Sequence, residues 1–135
     1  MKSVLVILSL LFSASAFAGI SVIVHPSNST SLTEDEVARI FLGKMKSFPG
    51  GGSAVPINAA DGSNQRDTFN DVVLQKSSSQ IKAYWSKLIF TGKGTPPQEA
   101  DSDSEILNLI KSNPNLIGYV SNEAVTGDVK VVAQF

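Results

Sequence analysis

The stretch that most restricts the fold is "GISVIVHP", residues Gly19 to Pro26, an apolar run rich in β-branched side chains that ends at a proline. Such a run is typical of a strand that is buried on both faces, as in the parallel and mixed sheets of α/β proteins. Because both faces of such a strand must be covered, we expect helices on both sides of the sheet.

Four helices are predicted by their capping and apolar patterns. The first has a capping box, Thr33 with Glu36, and ends at Gly43. The second runs from Asn64 to about Gln75, and the third opens with another capping box at "SSSQ", residues 77–80. The fourth is "DSDSEILNLIKSNP", residues 101–114, with acids at its start and a proline as its stop.

Three further strands are predicted, "AVPIN" (54–58), "LIGYVS" (116–121) and "VKVVAQF" (129–135), the last two joined by a turn containing Gly127. Pro56 indicates an edge position or a strand end, and 92–97 is predicted as a loop. The order β-α-β-α-α-α-β-β predicts an α/β protein, a single three-layer α/β/α lobe with a mixed sheet.

Residues 1–18 have the features of a cleavable secretory signal peptide. Lys2 supplies a positive start, "VLVILSLLF" is an apolar core too short for the about 20 residues of a membrane span, and "AFA" is a cleavage site ending at Ala18. We therefore expect an exported, periplasmic protein with one domain, residues 19–135. The chain has no cysteine, so core packing alone must stabilise it outside the cytoplasm.

The sequence gives little support for an enzyme, a metal site or a nucleic-acid surface. It lacks a thiol nucleophile and the common catalytic and metal-binding motifs, and its single histidine, His25, stands before a proline at a strand end. The acidic run "EADSDSE" lacks the glycine and final glutamate of a calcium loop. The formal net charge is −1, without a basic cluster among aromatics. We expect no catalytic residue, no cofactor, no metal ion and no nucleic-acid partner.

The segment "DGSNQRDTF" is the best candidate for a binding site. Gly62 permits close approach of the backbone and Ser63 can cap the second helix, whose first N–H groups have no acceptor within the helix. Those groups and the helix dipole attract a phosphate, sulfate or carboxylate. Arg66 lies in the same first turn, where an uncompensated cation is destabilising by a few tenths of a kcal/mol to about 1 kcal/mol. Its planar fork could hold two oxygens of an oxyanion.

A structural role explains the same arginine equally well. Ser63 would then only cap the helix, and Arg66 would pair with Asp61, Asp67 or Asp71. The residues alone leave both interpretations open.

Four stretches together resemble the solute-binding proteins of phosphate ABC transporters, which have the periplasmic binding protein-like type 2 fold, and specifically their small single-lobe relatives. They are "VIVHPSNSTSLTEDEVARIFLGK", "VPINAADGSNQRDTF", "AYWSKLIFTGKGTPP" and "NLIGYV". The larger members have two lobes that close on the anion, and the glycine-rich and Ser-Asp ligand segments of the other lobe have no counterpart here. The resemblance therefore implies one lobe.

The resemblance also implies the site residues. Ser63, Asn64 and Gln65 would donate hydrogen bonds at the helix start, Arg66 would be the charged clamp, and Asp61 and Gly62 would support them. The larger family tends to have Gly-Thr after the serine, where this chain has Asn64-Gln65.

The function implied is an exported solute-binding domain for phosphate or a similar oxyanion, linked to transport or sensing. A membrane transporter or receptor and a second copy of the chain are the implied partners. The alternative is a periplasmic interaction module, an adaptor or sensor partner, that keeps the fold but has a vestigial anion site.

Overall fold

The computed structural model describes residues 19–135, so the predicted signal peptide, residues 1–18, lies outside the described residues. Strands alternate with helices along most of the chain. The elements are β1 (Ile20–Val24), α1 (Glu34–Phe41), β2 (Val55–Ala59), α2 (Asn64–Phe69), a π-helical turn (Asn70–Leu74), α3 (Ser78–Phe90), β3 (Gln98–Ala100), α4 (Asp103–Ser112), β4 (Leu116–Ser121), a 3-10 turn (Asn122–Ala124) and β5 (Lys130–Gln134). Within this part of the chain, no helix combines the length and the hydropathy needed to cross a bilayer.

The strands form one mixed sheet in the order β3-β2-β4-β1-β5. Strand β2 runs parallel to both of its neighbours, β3 and β4, whereas β1 runs antiparallel to β4 and β5. All five residues of β1 are buried, which confirms the strand predicted from "ISVIV". The last two predicted strands are also present, but they do not pair with each other because β1 lies between them.

The helices cover both faces of the sheet, which confirms the predicted α/β lobe. Successive side chains of a strand point to opposite faces, and the consecutive residues Gly118 and Tyr119 of β4 show the two layers. A Cβ added at Gly118 would lie 2.9 Å from Ile106 of α4. The ring of Tyr119 packs against Phe41 of α1 and Phe69 of α2 on the other face.

Three aromatic rings form the centre of the core beneath α1 and α2. Phe69 and Tyr119 stack with ring centroids 4.0 Å apart and an interplanar angle of 2°, and Phe41 lies tilted against Phe69 at 4.6 Å. All three residues are at most 1% exposed. These contacts fix α2 against the central strand, so the segment before α2 has a defined position.

The predicted helix starts are confirmed. Both capping boxes are complete, at Thr33 and at Ser77, and Ser63 and Ser102 cap α2 and α4 with their side chains. Gly43 follows α1 with a φ of 72°, as expected for a glycine at a helix end. The second helix differs from expectation, because α2 continues as a wider π-helical turn that ends at Gln75 in the left-handed region, with a φ of 54°.

Two strand predictions were incomplete. Strand β3, "QEA", was not predicted, because three residues without β-branching carry no strand pattern, and only its pairing with β2 makes it a strand. An edge position for Pro56 was wrong, because β2 has a neighbour on each side. Pro56 lies in the half of β2 that β3 does not reach, so the expectation of a strand end is correct.

The absence of a side chain at Gly118 lets α4 lie close to the sheet. We expect Gly118→Ala to destabilise the protein by about 1–3 kcal/mol, because the new methyl group would overlap Ile106 and push α4 outward. Urea unfolding followed by circular dichroism measures this.

Gly127→Ala is the matched control, since no heavy atom lies within 4 Å of its added Cβ. It should change the free energy of unfolding by less than about 0.5 kcal/mol. Equal unfolding midpoints for the two variants would contradict close packing of α4.

Candidate functional site

The candidate site lies where two parallel strands end side by side. Strand β2 leads through residues 60–63 into α2, and β3 leads through residues 101–102 into α4. The carboxyl ends of adjacent parallel strands lie at the same edge of a sheet, where ligands bind in open α/β folds. The segment "DGSNQRDTF" is therefore at the usual location for a ligand in this class of fold.

The backbone at the start of α2 presents free donors. Ser63 Oγ accepts a hydrogen bond from the Arg66 N–H at 3.3 Å, and Gly62 adopts a φ of 79° that a side chain would strain. Among the described hydrogen bonds, the N–H groups of Asn64 and Gln65 have no acceptor. These two groups are the backbone donors that an anion would meet.

Arg66 is buried beneath this turn and is paired with an acid. Its side chain is 10% exposed, and its Nη1 donates to the Ala59 carbonyl at 3.4 Å and to the carboxylate of Glu99 on β3. Glu99 was not among the expected partners. An ion pair of Arg66 with Asp61, Asp67 or Asp71 was the wrong expectation, although pairing with an acid was one of the two interpretations.

The guanidinium keeps some donors available. Among the described residues, Nη1 is the guanidinium nitrogen that makes hydrogen bonds, and Nε and Nη2 have no acceptor there.

Two of the three expected aspartate partners are engaged elsewhere. Asp61 Oδ2 lies 3.2 Å from Lys82 Nζ, and Asp67 Oδ1 accepts a hydrogen bond from Ser78 Oγ at 2.8 Å. The pKa of the Asp61 carboxyl is lowered, mainly by its hydrogen bond from Lys82. The charges of Lys82 and Arg66 and the Gly62 N–H act in the same direction. Both contacts attach the start of α3 to the loop and first turn of α2, so Asp61 holds this loop in place.

A buried polar pair lies behind Arg66. The Tyr119 hydroxyl donates to Asn58 Oδ1 at 3.0 Å and accepts from the Ala59 N–H at 3.1 Å. These bonds fix the last residues of β2 just before the loop. Neither residue was singled out from the sequence, because an asparagine and a tyrosine 61 positions apart carry no shared pattern.

Acidic side chains surround the remaining space. A cleft of about 70 Å³ lies between the two loops, lined by Ala59, Ala60, Ser63, Gln65, Ala100, Asp101, Ser102 and Asp103. Asp103 Oδ2 accepts from the Ser121 hydroxyl at 2.8 Å, whereas the Asp101 side chain is exposed. Of the predicted ligands, Ser63 and Gln65 line this cleft, whereas the exposed Asn64 and the buried Arg66 do not.

The acidic run and the histidine have structural contacts. Glu105 accepts from the Asp101 N–H at 2.8 Å, and Ser102 caps α4, so these residues organise the start of a helix. His25 Nδ1 lies 2.7 Å from the Ser27 hydroxyl beside β1. Among residues 19–135, no group of three metal-ligating side chains comes together.

The fold and this edge of the sheet are similar to those of one α/β lobe in solute-binding proteins. The chain is similar to an ABC-type phosphate transport receptor from Vibrio cholerae, with 18% identity and a TM-score of 0.67. It is also similar to a candidate phosphate ABC transporter substrate-binding protein from Clostridium perfringens, solved with bound phosphate, with 28% identity and a TM-score of 0.68. PstS from Borrelia burgdorferi has 18% identity and a TM-score of 0.58.

These matches cover most of this chain but less than half of each neighbour. They span 84%, 84% and 78% of this chain, and 45%, 44% and 42% of the three other proteins. The resemblance to phosphate-transporter binding proteins expected from the four sequence stretches is confirmed in the fold, and these neighbours are binding proteins. No family model and no curated protein sequence matches the chain.

The buried tyrosine makes stability depend on alkaline pH. Burial raises the pKa of the Tyr119 phenol well above its usual range, although the Ala59 N–H and the Arg66 charge act in the opposite direction. A group whose pKa is raised by folding stabilises the protein fully below its unfolded pKa, about 10, and loses this contribution as the pH rises further. We expect the free energy of unfolding to fall between pH 9 and pH 11, measured by urea titration, and to fall less in Tyr119→Phe.

Tyr84→Phe is the control, because the Tyr84 side chain is less buried and bonds only the Leu42 carbonyl. It should keep most of the pH dependence of the unmodified protein. An equal pH dependence in Tyr119→Phe and in the unmodified protein would contradict the buried neutral phenol.

Proposed function

We propose that this chain is an exported, periplasmic solute-binding lobe for phosphate or a similar oxyanion, and that it serves transport or sensing. The observation that carries the proposal is the buried guanidinium of Arg66 at the first turn of α2, in a fold shared with phosphate receptors. A membrane transporter or receptor would be its partner, and a second copy of the chain could replace a missing lobe.

The donors at the start of α2 support this proposal. The N–H groups of Asn64 and Gln65 and the Ser63 hydroxyl are at the positive end of the helix. The Nε and Nη2 atoms of Arg66, which have no acceptor among the described residues, would add charged donors on the same turn. A tetrahedral oxyanion needs several such donors on one side, and bidentate contact with arginine is the strongest of them.

Glu99 is the competitor that a bound oxyanion must overcome. Its carboxylate occupies Nη1 of Arg66, but its side chain is 47% exposed, so it can turn to solvent when an oxyanion takes its place beside the guanidinium. Asp101 and Asp103 add negative charge to the cleft. Their repulsion of a bound oxyanion is stronger in a partly desolvated site than in bulk water. An isolated lobe should therefore bind phosphate weakly, with a Kd of about 0.1–1 mM, which corresponds to a binding free energy of about −4 to −5.5 kcal/mol.

Glu99→Gln tests whether Arg66 is a ligand. Removing the competing charge should lower the phosphate Kd about fivefold, measured by titration calorimetry, because about 1 kcal/mol of repulsion is relieved. Arg66→Met should abolish binding while its apolar stem keeps part of the packing.

Glu123→Gln is the matched control, since Glu123 is exposed in the 3-10 turn outside the site. It should leave the Kd unchanged. A Glu99→Gln variant with a lower unfolding midpoint and an unchanged Kd would show that the Arg66–Glu99 pair is structural only. A sub-micromolar Kd of the monomer for phosphate would contradict the weak binding expected of a site on one open lobe.

The acidic surroundings favour a second candidate function, an interaction module with a vestigial anion site. Glu99 already pairs with Arg66, and Asp101 and Asp103 line the neighbouring cleft, which has no cation in its lining. Such a module would recognise a receptor or another exported protein without phosphate. A pull-down from periplasmic extract should then recover the same partner with Arg66→Met as with the unmodified chain, whereas phosphate-dependent recovery lost in Arg66→Met would exclude this function.

A further inference from the structure

The end of α3 carries the most exposed apolar side chains of the described chain. Phe90 is 93% exposed and Ile89 is 54% exposed, and the two are consecutive. We name this pair the α3 tip. A solvent-exposed phenylalanine beside an isoleucine is unfavourable in water, so such a pair points to a surface that becomes covered.

The chain holds the α3 tip in a fixed turn. Gly92 has a φ of 68°, and the Lys93 N–H donates back to the Leu88 carbonyl at 2.9 Å, which closes the helix end. The Thr91 hydroxyl also donates to the Lys87 carbonyl at 2.8 Å. The tip therefore belongs to a hydrogen-bonded helix end.

Lysines lie beside the α3 tip. A groove of about 590 Å³ is lined by Ile89 together with Lys44, Lys46 and Lys93, and none of its lining residues is acidic. Lys87 lies one helical turn before Phe90 on the same face of α3. We call these four lysines the cationic rim. In a chain whose formal net charge is −1, their grouping here is a marked separation of charge.

Packed aromatic side chains form the floor of the groove. Trp85 is only 6% exposed, because its indole lies against Gly43 and Gly94, where added Cβ atoms would be 3.2 and 3.7 Å away. The Tyr84 hydroxyl donates to the Leu42 carbonyl at 2.6 Å. Phe90 does not line the groove, so the most exposed apolar side chain projects beside it rather than into it.

We propose that the α3 tip and its cationic rim bind the surface of an anionic lipid bilayer. Phe90 and Ile89 would enter the interface, and Lys44, Lys46, Lys87 and Lys93 would lie among the lipid phosphates. Peripheral membrane proteins combine exposed apolar side chains with nearby basic residues. Each basic residue near the surface strengthens binding to anionic lipid. This surface is separate from the candidate oxyanion site.

Cosedimentation of the full chain with vesicles tests the proposal. Vesicles of phosphatidylcholine mixed with phosphatidylglycerol should bind the protein, and vesicles of phosphatidylcholine alone should bind it much less. Phe90→Ser should weaken binding to the mixed vesicles about tenfold or more, and Lys93→Gln about fivefold. High salt should weaken the binding of the unmodified chain.

Val72→Ser is the matched control, because Val72 is 42% exposed and lies on the π-helical turn, away from the tip. It should bind as the unmodified chain does. All variants keep residues 1–18, so a difference between them reports on the tip.

Absence of binding to the mixed vesicles, or equal binding by Phe90→Ser and Val72→Ser, would overturn the proposal. Binding of soluble polyglutamate that depends on Phe90, without vesicle binding, would instead assign the tip to an acidic protein partner. Phosphate affinity should be the same in Phe90→Ser and the unmodified chain, so failure here leaves the proposed function unaffected.

Discussion

The position of β2 between two parallel neighbours is the constraint on which the candidate site depends. Because β3 and β4 both run with β2, the loops that follow β2 and β3 emerge at the same edge, each leading into a helix. This arrangement brings the start of α2 and the start of α4 together across a narrow cleft. The Tyr119 hydroxyl then fixes the end of β2 from the neighbouring strand, through Asn58 and Ala59. The sheet thus sets the distance between the two loops, and the residues of the loops and of the adjoining helix starts line the cleft.

The buried charge of Arg66 explains why this edge is both suited and resistant to an anion. A guanidinium that is 10% exposed requires compensation, since removing an unpaired charge from water costs several kcal/mol. Glu99 and the Ala59 carbonyl provide that compensation without any ligand. A bound oxyanion would contact Arg66 and the backbone N–H groups at the start of α2. It would also have to displace the Glu99 carboxylate and would be repelled by Asp101 and Asp103, which line the cleft. In the proposed function, phosphate binding would depend on the balance between these interactions, and Glu99 is the residue that pairs with Arg66 when no ligand is bound.

The sequence predicted local structure well and the tertiary contacts between distant residues poorly. Capping residues act within one helical turn, so Thr33, Ser63 and Ser77 could be assigned as helix starts from the sequence. Burial of β1 followed from its unbroken apolar run. The partner of Arg66 could not be found in the same way, because Glu99 is 33 residues away on a strand that exists only through its pairing with β2. The candidate loop was identified, but its electrostatic surroundings depend on the tertiary fold.

Helix α3 connects the two surfaces and keeps them apart. Its first two turns contact the site, through Ser78 to Asp67 and through Lys82 to Asp61. At about 1.5 Å per residue, Phe90 lies about 18 Å along the helix from Ser78 and about 12 Å from Lys82. Both distances exceed the Debye length of about 8 Å at physiological ionic strength, so salt weakens the interaction between charges at the tip and charges at the site. If both proposals hold, oxyanion binding and membrane binding would use opposite ends of α3, so a substitution at Phe90 would leave the contacts of Ser78 and Lys82 in place.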